Sequence, residues 1–261
     1  MNFCRLKYSL LRLPHSSIYK RYKVKASRLA NEEGLYTKTL KELSEYTGEN
    51  QTILEKKAKD LSQEASRTRC DQLTEKELDG FYKKDQHYLY ELPLWNAQSG
   101  RCFLIWWTID FYLRKNRCTK ILDYGAGAGD LCLALAKQPQ LEIFYYDIND
   151  CLRGFAAWRF EQRHMKVNIL NENDFQNHSF DCILAFDIFE HLKNLDQRLK
   201  WLAGLLRDKG SFIFNIELSG EGLHLEENKV YGDEKKLDRL LEEAGFRFDW
   251  KFKRYYFYKR K

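Results

Sequence analysis

Hydrophobic positions along the 261-residue chain follow two regimes. Up to Pro93 they recur at helical spacing: Leu35, Leu40 and Leu43, a break at Gly48, then Ile53, Leu54, Ala58 and Leu61 along one face. Thr74 with Glu77 three residues on has the form of a capping box and predicts another short helix. From Thr119 onward, apolar runs of strand length alternate with amphipathic stretches. The pattern predicts helix 129–137, strand 142–147, helix 149–163, strands 166–170 and 181–186, helix 191–207, strand 211–217, helix 233–244 and a closing pair of strands within 246–260. Leu192, Leu195, Leu199, Leu202 and Leu206 share one helix face, and Leu237, Leu240, Leu241 and Ala244 share the next, with Gly245 as the stop. Such alternation implies parallel strands joined by crossover helices. The expected organisation is an α/β domain over 95–261 preceded by a helical cap over 1–94, with Pro93 and the Ser99–Gly100 loop at the join.

The most informative stretch is TKILDYGAGAGD, residues 119–130. A short apolar strand, Ile121 and Leu122, breaks into a loop carrying Gly125, Gly127 and Gly129 and then opens a helix at Leu131. Glycines there let the backbone turn tightly and approach a ligand without side chains in the way. A dinucleotide fingerprint anchored on Gly125 and Gly127 needs a third glycine at position 130, where Asp130 stands. The pattern therefore speaks against a hydride-transferring oxidoreductase. An acid, Asp123, sits two residues ahead of the loop, and a second, Asp147, ends the apolar strand FYYDIND 18 residues after Gly129. A carboxylate at the tip of a second strand accepts ribose hydroxyls in mononucleotide-binding halves of this kind.

With these residues, and with FDCILAFDIFEHL at 180–192, LLRDKGSFIFNIE at 205–217 and LLEEAGF before an aromatic, basic tail, the chain resembles the class I S-adenosylmethionine-dependent methyltransferases over roughly residues 95–261. The resemblance implies a Rossmann-like, doubly wound, mostly parallel seven-stranded sheet with an antiparallel last strand. It implies S-adenosyl-L-methionine as cofactor, held around Asp123, Tyr124, Gly125, Ala126, Gly127 and Gly129, at Asp147 and Ile148, and beside Phe186 and Asp187. For the adenine ring, the short connection NENDF offers Asn171, Glu172 and Asp174; Asn171 and Glu172 enter the expected set. The chain departs from the family pattern at Tyr124, where a small aliphatic is commoner, and at Ala126 and Ala128. It lacks the Asn-Pro-Pro-Tyr-like segment of enzymes that methylate adenine or glutamine nitrogens.

Methyl transfer from a sulfonium is an in-line displacement that depends mainly on orientation, with a base needed when the acceptor is a hydroxyl or a protonated amine. His191, directly after Glu190, and His224, in the long loop SGEGLHLEENKVYG, are the candidate bases. Glu190-His191 has the alternative role of orienting its loop, and His224 that of an ordinary surface histidine. In the aromatic stretch 81–112, Tyr88, Tyr90 and Trp95 are expected to wall the site, whereas Trp106, Trp107 and Phe111 are expected in the core.

Composition adds bounds. A hydrophobic content of 44% supports a sizeable core. Seven cysteines without a C-x-x-C pair or a secretory leader read as reduced thiols in a cytoplasmic protein, and no ligand spacing suggests a structural metal. No apolar run is long enough to cross a bilayer. Net charge is +6 overall, yet residues 1–30 hold eight basic side chains and no acid. That start fits contact with nucleic acid or an anionic membrane, an organelle-targeting role, or simple solvation. The leading expectation is methylation of a small or medium organic acceptor on oxygen, nitrogen or carbon. The alternatives are an RNA or protein acceptor guided by the basic start, and a binding module without turnover. Oligomeric state has no signal in the sequence.

Overall fold

The computed structural model describes residues 16–65, 70–217 and 224–261. Seven strands form one sheet in the order β3-β2-β1-β4-β5-β7-β6. They are β1 (Lys120–Tyr124), β2 (Glu142–Tyr146), β3 (Asn168–Ile169), β4 (Phe180–Phe186), β5 (Leu206–Asn215), β6 (Phe246–Phe252) and β7 (Tyr255–Arg260). The first five pair in parallel, and β7 inserts antiparallel between β5 and β6. This is the sheet expected of a class I methyltransferase.

The sheet is buried on both faces, which is why β4 is buried at every position. On one face Leu122, Tyr124, Ile183, Phe212 and Phe214 pack on α9 (Leu195–Leu205) and α10 (Glu234–Glu243). On the other, Ile121, Tyr145, Leu184 and Phe257 pack on α6 (Arg101–Lys115), α7 (Asp130–Leu135) and α8 (Asp150–Gln162). Alternate residues of each strand thus serve opposite layers, the period-two rule at work.

Ahead of the sheet lie α1 (Ser16–Glu32), α2 (Leu35–Thr47), α3 (Gln51–Ala65), α4 (Glu75–Lys84) and α5 (His87–Ser99). Leu40, Leu43 and Leu54 of the cap bury against Leu89, Tyr90 and Leu94 of α5, and the same cluster runs into Ala128, Leu152 and Phe155. Burying a leucine side chain fully contributes about 1.5–3 kcal/mol, so this seam holds the cap firmly to the sheet side. Gly48 ends α2 in the left-handed conformation, and Thr74 with Glu77 forms the capping box at the start of α4. Among the described residues no helix is long and apolar enough to cross a membrane. Residues 1–15, with three of the eight basic side chains of the start, lie outside the described residues, and the other five stand on α1.

Three expectations are corrected. Pro93 is not at a break: it lies inside the continuous helix α5, and the chain turns at the other expected signal, Ser99–Gly100, with Gly100 at φ 65°. There α1 comes so close that a Cβ would stand 2.3 Å from the Ala26 carbonyl oxygen, so only glycine suits the turn. The helix expected over 191–207 is α9, limited to Leu195–Leu205, and the strand expected from 211 is β5, which already starts at Leu206 opposite Phe180. The strand expected over 166–170 is reduced to Asn168–Ile169.

Candidate active site

At the carboxyl ends of β1, β2, β4 and β5 the chain encloses a cavity of about 850 Å³. Its floor is the glycine loop. Gly125, Gly127 and Gly129 have φ of 73°, 55° and 75°, the left-handed region that glycine tolerates. A Cβ on Gly127 would stand 2.7 Å from Leu92 Cδ2, and one on Gly125 would stand 2.3 Å from Ile188 Cδ1. The loop is therefore roofed closely from α5 and from the segment after β4. Asp123, Tyr124, Gly125, Ala126 and Gly127 all line the cavity. Gly129 does not: its missing Cβ makes room for Phe160 Cζ at 2.7 Å, so its role is to seat α8 against the loop.

Two carboxylates face this floor. Asp123 is only 3% exposed, and burial pushes its carboxyl up to about 7, opposed by the Cys132 thiol, which donates to Oδ2 at 3.4 Å. Asp147, at the tip of β2, is also raised by burial. Its Oδ2 accepts from the Gly127 N–H at 2.7 Å and its Oδ1 from the Asn149 N–H at 2.8 Å, so the acid locks the glycine loop onto the second strand. Each oxygen keeps a further lone pair for a hydroxyl. Beyond Asp147 the wall continues through Ile148, Glu172, Phe175 and Trp201. Asn171 is exposed and turned away, its side chain and Asp174 capping the short 3-10 turn Glu172–Asn177. Of the adenine-side expectations, Glu172 is on the cavity and Asn171 is not.

Phe186 and Asp187 lie on the opposite wall. Asp187 sits at φ 51°, unusual for a residue with a side chain, and is held there by an ion-pair hub. Its carboxylate pairs with Arg101 of α6, with Arg254 Nη2 at 2.5 Å and with the Asn215 side-chain amide. Burial alone would raise this acid; the Arg101 and Arg254 charges win and hold it below its ordinary range. Arg101 in turn lies over the Trp95 ring at 5.4 Å.

The remaining side of the cavity is assembled from three segments distant in sequence. Glu190 and His191 lie in the short turn Phe189–His191 after β4, and His224 follows β5. The Leu225 N–H donates to the Glu190 carbonyl at 2.9 Å, and the Asn228 amide donates to the Phe189 and Leu192 carbonyls at 2.8 Å each, which brings the His224 arm onto the turn. The His191 and His224 rings stand edge to face at 5.0 Å. The cap supplies Tyr82, whose hydroxyl is 3.0 Å from His191 Nδ1, and the Asp71 carboxylate, which accepts the Glu226 N–H at 2.6 Å. Burial, with the Asp187 charge adding to it, pushes Glu190 up to about 8, and burial lowers His224. Tyr88 and Trp95 line the cavity as expected; Tyr90 does not, being buried in the cap seam beneath Lys57 at 5.2 Å. Trp106, Trp107 and Phe111 are half-buried along α6, so their expected core placement is only partly met.

Tyr82, Arg101 and Arg254 were not expected at the site. Arg254 stands in the basic tail and Tyr82 in the aromatic run, but nothing in their local spacing marks them. They are brought in by the β6–β7 turn and by the cap.

The parallel sheet, the glycine loop between two strand-end acids and the antiparallel β7 define a class I S-adenosylmethionine-dependent methyltransferase. A family profile described as "Methyltransferase domain" matches residues 89–249, more than half of the chain, and the chain belongs to that family. Among curated proteins it is similar to the hybrid PKS-NRPS synthetase lepA of Aspergillus flavus, at 26% identity over 129 residues. That alignment covers 45% of this chain and 3% of the synthetase. Among solved structures it is similar to an S-adenosylmethionine-dependent methyltransferase from Clostridium acetobutylicum, with TM-score 0.45, 15% identity, and 58% of this chain and 89% of that one covered. The mitomycin 7-O-methyltransferase MmcR is a further likeness, with TM-score 0.49, 15% identity, and coverage of 70% and 60%.

Proposed function

We propose that the chain transfers the methyl group of S-adenosylmethionine to a small or medium organic acceptor enclosed in the cavity. The observation that supports this reading is that one cavity of about 850 Å³ is lined both by Asp123, Gly125, Gly127 and Asp147 and by Glu190, His191 and His224. That volume lies in the range of about 300–1,000 Å³ usual for small-molecule sites. On this reading the ligand's ammonium faces Asp123, its ribose hydroxyls bind Asp147, and its adenine lies toward Ile148 and Glu172. Tyr88 and Trp95 of α5 exclude water from the sulfonium.

In the reaction the acceptor's lone pair attacks the methyl carbon in line, the carbon–sulfur bond breaks, and the bonding pair stays on sulfur to leave neutral S-adenosylhomocysteine. A hydroxyl acceptor loses its proton in the same event, and the group at Glu190, His191 and His224 is the proton-accepting machinery on that side. Holding the two partners along the carbon–sulfur axis supplies most of the acceleration.

The test has two arms. Calorimetry with S-adenosylhomocysteine is expected to show one site per chain; absence of heat, together with no shift in melting temperature, refutes cofactor binding. Incubation with S-adenosylmethionine and fractionated cell extract is expected to yield a small molecule heavier by CH2, identified by mass. Methyl incorporation only into RNA or protein refutes the acceptor class.

A further inference from the structure

Glu190, His191 and His224 each bring one ligand atom to within 4.8 Å of the others. They reach this arrangement from two segments, through the Leu225 N–H to Glu190 carbonyl bond and the clasp of Asn228. Two observations set the group apart from an ordinary polar cluster. Glu190 is 1% exposed, and its Oε2 is buried with no hydrogen-bond partner; His224 Nδ1 is likewise buried without one. Leaving such buried atoms unsatisfied is unfavourable. A bound cation satisfies both. The Tyr82 hydroxyl, 3.0 Å from His191 Nδ1, fixes the ring from outside, the task that an outer hydrogen-bond partner performs for metal-ligating histidines.

We propose that Glu190, His191 and His224 form a site for one divalent transition-metal ion of the zinc, cobalt, iron(II) or manganese class, opening onto the acceptor side of the cavity. Two imidazoles and one carboxylate suit these ions, whereas calcium and magnesium favour all-oxygen sets. Metal–ligand distances of about 2.0–2.2 Å require the three side chains to close in slightly from their present span, a rotamer adjustment. Three protein ligands leave positions open, the arrangement of catalytic rather than structural sites. The inference rests on the methyltransferase reading in one respect: it names the acceptor as a molecule presenting an oxygen to the metal, such as a phenol, catechol or hydroxy acid. Coordination would acidify a hydroxyl oxygen so that its proton passes to bulk water, the three side chains being then engaged as ligands in place of their proton-accepting role; the oxygen's lone pair attacks the methyl carbon as the carbon–sulfur bond breaks and its pair stays on sulfur.

The experiment uses the full chain, stripped with a chelator and titrated with Co2+ by visible absorption and with Zn2+ by calorimetry. The expected result is one saturable site per chain with the weak ligand-field bands of nitrogen and oxygen coordination. His224→Ala and Glu190→Gln are each expected to weaken binding at least about 100-fold, and Tyr82→Phe about 10–100-fold through the outer partner. Melting curves establish that each variant is folded; His224 is half-buried on a loop, so His224→Ala carries the test should Glu190→Gln fail to fold. No saturable binding, affinity unchanged in His224→Ala, or a thiolate-to-cobalt charge-transfer band reporting on the cysteines overturns the proposal. Binding of S-adenosylhomocysteine to the stripped chain is measured alongside. Cofactor binding without metal binding refutes only the metal site, and metal binding without cofactor binding refutes only the methyltransferase reading.

Discussion

On the proposed reading, Asp123 ties stability and cofactor binding together with opposite signs. Burial beneath the glycine loop pushes its carboxyl up to about 7 in the folded state, against an ordinary value of 3.8. A raised acid contributes its stability fully below the unfolded value and loses it as pH climbs through the folded value. The unliganded protein should therefore lose stability between about pH 4 and pH 7 on account of this one group. At about 1.36 kcal/mol per unit, three units set a ceiling of about 4 kcal/mol, which relaxation around the charge will reduce. Asp123→Asn removes the charge and keeps an acceptor for the Cys132 thiol. Urea unfolding without ligand should show the variant gaining on the wild type as pH rises from 4 to 8. Calorimetry with S-adenosylhomocysteine should show the reverse: the wild type binds up to tenfold more tightly per pH unit as pH rises from 5.5 toward 7, while the variant binds weakly and lacks this step. The slope is read as a difference between the two proteins, because Asp147 is raised as well and remains in both. Equal affinity slopes together with superimposable stability curves would refute the argument, since Asp123 would then neither ionise near neutrality nor face the ammonium.

Other outcomes follow from single contacts. Asp147→Ala removes the group that accepts from Gly127 N–H at 2.7 Å and is read as the ribose acceptor, and should weaken S-adenosylhomocysteine binding by about 1.5–3 kcal/mol in calorimetry. Arg159, 2% exposed, holds Asp130 at 2.7 Å, Glu42 of the cap at 3.1 Å and the Ala128 carbonyl at 2.8 Å. Arg159→Leu leaves Asp130 with only the Asn96 amide and Glu42 with only Arg163, and should cost about 3–5 kcal/mol in urea unfolding; a loss under 1 kcal/mol would mean that the cluster contributes little. Gly100→Ala places a methyl on the Ala26 carbonyl at φ 65° and should lower stability by more than the roughly 1–2 kcal/mol of left-handed strain alone, with proteolysis of α1 as the sensitive readout.

What could be read from the sequence was local. The strand, the three glycines and the acids at 123 and 147 lie within 30 residues, and their spacing is itself the geometry. The capping box at Thr74 and the closing hairpin were legible for the same reason. Leu206 shows where periodicity fails: it continues the leucine face of α9 and is equally buried as the first residue of β5, so the hydrophobic pattern does not distinguish helix from strand there. Gly129 was legible as a glycine required by the loop but not as one that faces Phe160 instead of the cavity. The far wall was illegible for a different reason. Tyr82, Arg101, His191, His224 and Arg254 meet through the cap, α6, the loops after β4 and β5 and the β6–β7 turn, and no spacing rule spans such separations. The convergence of Glu190, His191 and His224 has no motif because the histidines are 33 positions apart, and they are brought together by the Leu225 backbone hydrogen bond and the Asn228 amide.

That bond belongs to a wider arrangement with an evolutionary consequence. The segments closing the acceptor side are stitched together largely through main-chain groups: Leu225 N–H on the Glu190 carbonyl, Asn228 on the carbonyls of 189 and 192, Asp71 on the Glu226 N–H, and Lys193 on the Leu73 carbonyl. Each of these ties has a backbone atom on at least one side, so it does not depend on which side chains Tyr88, Glu91 or Trp95 present to the cavity. Substitution at those positions leaves these particular ties in place. On the proposed reading, a lineage carrying this wall can exchange one acceptor for another by point substitution without rebuilding the glycine loop.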